Sequence, residues 1–338
     1  MRVGAVASER AAEEAADRVL SEGGSAADAL VAGFLGAAAA RAGVLLGPVQ
    51  ALFAGPGAGR RAFDGRGRQP GRGLPRPRGF VGTEEIPMAA LAAAPASLGA
   101  MALVYAYAGH LPLERLAAPA LERARALGAG ERGAVIAKIA GTGASALREG
   151  ALLRPLLAAA GRTSGGLLSE EDIAEVRPES APPAEVDLGA GRQVLVLPWA
   201  APGAPHRVAE FVVAVDAAGV MAALSYSPDD EGVPVPELGL TLPRDAIVVR
   251  RGIPRMTPGE PLPCPAAAAI GLEDRAAFMA LGVRSQARLE MGSLGPAWAD
   301  RSAALSQLLA AAKNAAGGSL AGAVLRSPET ERVQKLSV

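Results

Sequence analysis

Cysteine is almost absent from this 338-residue chain, and Cys264 is its single representative. One thiol cannot close an internal disulfide, so stability must come from a packed core, and a reducing, cytoplasmic setting suits the chain. Histidine is nearly as scarce, with His110 and His206 alone. Two histidines and one cysteine offer no metal-site spacing, so no metal or other cofactor is expected. Aromatic residues make up 3% of the chain, and alanine and glycine fill their place. A core built that way packs small side chains closely and gains less area per residue than a Leu/Phe core. Net charge is also absent, with 34 basic against 34 acidic residues. That balance gives no footprint for nucleic acid. Long apolar runs are missing too. The most apolar stretch, "ALVAGFLGAAAA" at 29–40, lies between Asp28 and Arg41 and is shorter than the ~20 residues a bilayer demands. The opening residues lack the apolar core of a secretory signal. No membrane insertion is expected.

Half of the residues are hydrophobic, and 338 residues are ample for a real core. The pattern predicts a helix over 9–21 with Ser8 as its N-cap. A second, over 26–41, is capped by the S-x-x-D pair Ser25 and Asp28 and is apolar all round, hence buried. Short strands are expected within 43–55. Residues 56–80, rich in Gly, Pro and Arg, read as a flexible loop. Helices follow over 89–108 and 113–127, then a helical region to about 160. A short helix near 170 is capped by Ser169 with Asp172. Strands are expected at 192–198, 210–216, 220–227, 239–252 and 276–282, and a last helix at 299–316. The segments "EFVVAVD" and "VMAALSYS" are apolar on both faces and joined by a turn at Asp216–Gly219, which places them inside a layered structure. Helices, then strands, then helices suggest an α+β sandwich.

Several stretches, in this order, resemble the gamma-glutamyltranspeptidase family of N-terminal nucleophile hydrolases. "ASERAAEEAADRVLSEGGSAADALVAGFLGAAAA" is similar to the family's opening. "FDGRGRQP" at 63–70 is similar to its "D.RE.AP" segment, and "GGLLSEEDIAEVRP" to its "GG.lt..Dla.y" segment. "HRVAEFVVAVDAAGVMAALSYS" resembles its nucleophile strand pair, and "TPGEPLPCPAAAAI" its "PGKRPLSSMsPtI". The resemblance is collinear over nearly the whole chain. It implies a four-layer αββα sandwich over one domain, 1–338, with 1–203 resembling the large subunit and 204–338 the small one. It also implies a threonine that cleaves the chain before itself and then attacks gamma-glutamyl amides, helped by its freed amine and by backbone oxyanion donors.

Carried over residue by residue, the chemistry is missing. The nucleophile position falls on Ala209, the next family threonine on Glu210 and the histidine on Phe211. The paired serines fall on Pro263 and Cys264, and the oxyanion glycines near Ser285 and Gln286. Arg66 matches the family's carboxylate-binding arginine. Asp229 and Asp230 follow the second strand, where the family contacts the substrate amine. A helical segment that the family has after Pro198 is absent, which should uncover apolar surface on 89–108 and 113–127. The expectation is therefore an uncleaved pseudoenzyme with no catalytic residue, serving as a binding or assembly subunit beside protein partners or copies of itself. Two alternatives stand beside it. One is an active amidohydrolase or transferase with a displaced nucleophile. The other is an amino-acid or carboxylate sensor using Arg66, Asp229 and Asp230. For Cys264 to be the nucleophile it would need His206 or His110 as base. The arginines of 56–80 have Phe63 and Phe80 on their flanks but no interleaved stacking set, so no nucleic acid partner is expected.

Overall fold

The computed structural model describes residues 2–75, 79–82, 85–199, 207–286, 297–298, 300, 303–327 and 330–338. His206 lies outside the described residues. Two six-stranded sheets, antiparallel throughout, stack face to face. The first runs in the order β1 (Gly4–Ala7), β7 (Glu210–Val215), β8 (Met221–Tyr226), β2 (Val49–Gly55), β3 (Gly59–Gly65), β4 (Glu179–Ala181). The second runs β14 (Val333–Ser337), β13 (Leu320–Arg326), β12 (Ala276–Arg284), β11 (Ala268–Glu273), β6 (Arg192–Val196), β5 (Ala184–Gly189). Both sheets mix strands from 1–203 with strands from 204–338. A small ribbon pairs β9 (Val233–Val235) with β10 (Leu240–Leu242).

Helices cover both outer faces, completing four layers. α1 (Arg10–Ser21), α2 (Ala26–Ala40), α3 (Ser97–Ala108), α4 (Leu113–Ala126), α5 (Gly130–Thr142) and α6 (Gly150–Ala160) share one core with the outer face of the first sheet. α7 (Glu170–Ala174) follows them in the chain, and α8 (Leu305–Ala315) covers the second sheet through Leu308, Leu309 and Ala312. The Ser25–Asp28 and Ser169–Asp172 capping boxes both form as read from the sequence. α2 is buried along all but its last residue because helices flank one side and β7 and β8 the other. The β7–β8 turn is tied to it by Asp216, whose carboxylate accepts from the Ala26 N–H and the Val220 N–H, each at 3.0 Å. An anion at a helix N-terminus is favourable.

Several expectations are corrected. Glu9, not Ser8, occupies the N-cap of α1. The Ser8 hydroxyl instead accepts from the Phe211 N–H at 2.9 Å, stitching the N-terminal segment to β7. Within 56–80, residues 59–65 form β3, because pairing with β2 satisfies their backbone despite the glycines. The helix expected from 89 starts at Ser97, since Pro95 and the irregular turn before it cannot continue a helix. Over 239–252 the strand is confined to β10. The uncovered apolar surface expected on 89–108 and 113–127 is not present. Across those helices Tyr107 and Leu127 are the exposed large apolar residues, while Leu103, Tyr105, Leu113 and Leu121 are half-buried against the core.

Between the sheets, Val6, Leu52, Phe211, Val213, Ile270, Ala280 and Val324 form an apolar core. The Phe211 ring sits against bare backbone. A Cβ at Gly282 would lie 2.3 Å from its Cγ, and one at Gly322 would lie 2.9 Å from its ring. Gly282→Ala should therefore destabilise the protein by about 1–3 kcal/mol through overpacking. The cost of Gly282→Ala should shrink in a Phe211→Ala background, which removes the clashing Cγ and ring, as a double-mutant cycle would show. Chemical denaturation measures both, and an unchanged midpoint for Gly282→Ala would refute the wedge.

Candidate functional site

Sheet register assembles the candidate site at one end of the gap between the sheets. Phe211 pairs with Ser225, Ser225 with Gln50, and Gln50 with Asp64. Residues opposite one another in a ladder share a face. Phe211 and its same-face neighbours Val213, Leu52, Ala62 and Ala223 belong to the inter-sheet core, so Ser225, Gln50 and Asp64 form a buried polar band facing the second sheet. The Gln50 Nε2 and Oε1 atoms and the Ser225 hydroxyl have no hydrogen-bond partner among the described residues.

Ala209 lies one residue before β7 and is fully buried. Its N–H donates to the Ser285 carbonyl at 2.7 Å and its carbonyl accepts from the Ser285 N–H at 3.2 Å. The position carried over for the nucleophile is thus beside the one carried over for the oxyanion donors. Alanine places a methyl group there, and the Ser285 bridge occupies both its backbone groups. Two neighbouring hydroxyls are engaged as well. Ser227 donates to the Val208 carbonyl at 3.1 Å, and the Ser285 hydroxyl donates to the Ala316 carbonyl.

Charges in this region pair with one another. Arg66 grips Asp64 with a two-pronged fork, Nε to Oδ1 at 2.9 Å and Nη2 to Oδ2 at 3.1 Å, and its backbone N–H adds a third bond at 2.9 Å. Arg68 reaches the same carboxylate at 3.3 Å. Arg207, nearly inaccessible, forks onto Asp245 at 2.9 and 2.6 Å and stands 3.9 Å from Asp229. Asp229 in turn accepts from the Arg244 Nε and backbone N–H at 3.0 Å each and from its Nη2 at 2.8 Å. Burial alone would raise the Asp229 carboxyl, but these donors and the Arg207 and Arg244 charges outweigh it and hold the carboxyl below its ordinary value. Asp230 turns away, bonding Arg41 at 2.7 Å and the Gly43 N–H at 2.9 Å. Arg41 also reaches Glu210 at 3.2 Å, and Arg284 meets that carboxylate at 3.0 Å. The site residues anticipated from the sequence thus divide. Arg66, Asp229, Ala209 and Cys264 gather at one end of the gap, while Glu210 and Asp230 join a separate network around Arg41.

Cys264 sits among these pairs. Burial, then the Asp245 charge, push its thiol up to about 12 against the opposing pull of Arg207 and Arg66. Its Sγ donates to the Pro265 carbonyl at 3.2 Å. Such a thiol is neutral at physiological pH and no nucleophile. Seven participants escaped the sequence reading: Asp64, Arg68, Gln50, Ser225, Arg207, Arg244 and Asp245. A lone glutamine in the apolar run "GPVQALFAG" and the D-x-R spacing of Asp64 and Arg66 were the available signals. The pairing of Arg207 with Asp245 is long-range and left none. Among the described residues no group of acidic, histidine or cysteine side chains could hold a metal ion, and no helix is long and apolar enough to cross a membrane.

The sandwich matches solved proteins in overall fold. Cephalosporin acylase from Bacillus halodurans superposes with a TM-score of 0.72 at 15% identity, over 98% of this chain and 93% of that one. The chain has the N-terminal nucleophile hydrolase fold. The structure described as LmbA2991T421A gives a TM-score of 0.74 at 17% identity, covering 99% of this chain and 98% of that one. Gamma-glutamyltranspeptidase from Pseudomonas nitroreducens complexed with L-DON overlaps 57% of this chain and 70% of its own, with a TM-score of 0.48 at 17% identity. No family model and no curated protein matches the sequence. At these identities the likeness establishes the N-terminal nucleophile hydrolase sandwich and nothing about activity.

The thiol gives a direct check. A group titrating at about 12 is thiolate in about one molecule in ten thousand near pH 8. Ellman's reagent should leave native Cys264 unmodified for hours and react fully once guanidinium unfolds the chain. Stoichiometric labelling of the native protein within minutes would refute the buried, neutral assignment.

Proposed function

We propose that the chain is a catalytically inactive, gamma-glutamyltranspeptidase-like protein of the cytoplasm. It serves as a binding or assembly subunit, meeting protein partners or further copies of itself. The observation that carries this reading is Ala209, a methyl group at the start of β7 where N-terminal nucleophile chemistry requires a hydroxyl or thiol. Supporting it, Ser227 and Ser285 have their hydroxyls bound to carbonyls, and Cys264 is held neutral. The network around Arg66 points the same way. A carboxylate ligand would have to displace Asp64 from a fork that is already satisfied, which disfavours the sensor reading. A shell of this kind retains shape rather than turnover. For docking it offers Val81, 92% exposed, on a segment bridged to the Arg250 region by Phe80, with Ile253 also exposed nearby in sequence.

Two measurements on one preparation test the reading. Purified protein should release nitroaniline from gamma-glutamyl-p-nitroanilide no faster than heat-denatured protein does. Turnover abolished by Ser227→Ala or Cys264→Ser would contradict the inactive assignment. Light scattering at micromolar concentration should give at least twice the 33.9 kDa chain mass, or else a stable partner should co-elute from native extract. A monomer without any partner would contradict the assembly role.

A further inference from the structure

The far end of the sandwich carries a second feature. Residue 209 and the β7–β8 turn lie at opposite ends of β7, which separates them by on the order of 20 Å. There the β2–β3, β7–β8 and β11–β12 turns and the end of β13 line a solvent-open cleft of about 450 Å³, with Arg275 on its exposed rim. That is a volume suited to a small molecule. Three arginines line it, Arg60, Arg275 and Arg326, against one carboxylate, Glu331.

The charges do not cancel. Arg60 is matched by Glu185 at 2.8 Å, and Arg326 stands 3.5 Å from Glu331. Arg2, itself exposed, reaches Glu331 only at 3.7 Å. Among the described residues the Arg275 guanidinium has no acidic partner, so at least one positive charge is left over. The backbone holds these groups in place. Arg275 has φ +70°, an uncommon value for a residue with a side chain, and its carbonyl accepts from Arg60 Nη2 at 3.4 Å. Arg326 lies over the bare face of Gly219, where an added Cβ would come 1.5 Å from its Nη1. Gly219 itself has φ +87°. Leu272 and Ala277, paired across the hairpin that carries Arg275, add apolar lining.

We propose that this cleft binds a small monocarboxylate with a compact apolar body. The planar carboxylate meets guanidinium donors in the two-pronged geometry they favour. A single negative charge matches the charge left over on Arg275, and the apolar body rests on the Leu272 lining. The site is independent of the Ala209 end, so it stands whether or not that end is catalytic.

Titration calorimetry of the full chain at low salt tests this with benzoate and isovalerate as probes, benzamide as the neutral analogue and inorganic phosphate as the more highly charged one. Benzoate or isovalerate should saturate a single site. Benzamide and phosphate should bind at least ~10-fold more weakly. Arg275→Gln should weaken carboxylate binding at least ~10-fold. Arg275→Gly should do the same while relieving the positive-φ strain, so a lost signal cannot be blamed on misfolding. Arg123→Gln, on an exposed helix face elsewhere, should change nothing. Absence of saturable carboxylate binding, phosphate binding as tight as benzoate, or full affinity in both Arg275 variants would each overturn the proposal.

Discussion

The Phe211 ring, wedged between two sheets against the bare backbone of Gly282 and Gly322, is the contact on which the rest of the structure turns. It fixes how closely β7 and β12 approach and closes the apolar part of the inter-sheet core. Ala209, two residues earlier in the chain, is thereby brought to the isolated antiparallel bridge where it meets Ser285. Had the second sheet carried side chains at 282 and 322, the two layers would have to separate, and the bridge from Ala209 to Ser285 would open. Small residues on β11, β12 and β13 are the structural complement of one large ring on β7.

The same constraint explains the character of the candidate site. Beyond Phe211 the gap changes from apolar to polar, through Ser225, Gln50 and Asp64. Charges buried there must be compensated, since an unpaired ion in such a setting costs several kcal/mol. Asp64 with Arg66 and Arg68, Arg207 with Asp245, and Asp229 with Arg244 meet that requirement among themselves. The charges are thus compensated within the protein, while the amide of Gln50 and the hydroxyl of Ser225 stay without a partner among the described residues.

Much of this was legible in the chain. The doubly apolar β7 and β8, their turn at Asp216–Gly219 and both S-x-x-D caps depend on local patterns, and all are present. The four-layer architecture followed from the collinear resemblance and is the fold found. What stayed hidden was written in alanine and glycine. β1, β11 and β13, with sequences such as "GAVA" and "LAGAVLR", have weak strand propensity and form because the facing sheet demands small residues. Ser8 looked like a cap, yet it bonds β7, a partner 203 residues away. The apolar helix faces assumed to be uncovered are packed against the core, which no helical periodicity could decide. The Arg207–Asp245 and Asp229–Arg244 pairs join segments whose proximity only the fold creates.

Intact-mass spectrometry of the purified, denatured chain tests the central claim most directly. On the proposed reading, Ala209 stands where an N-terminal nucleophile hydrolase would carry the side chain that cuts the chain before itself, and a methyl group cannot make that attack. A single species at 33.9 kDa is the predicted result. Two stoichiometric fragments divided at residue 209 or its neighbours would contradict the account.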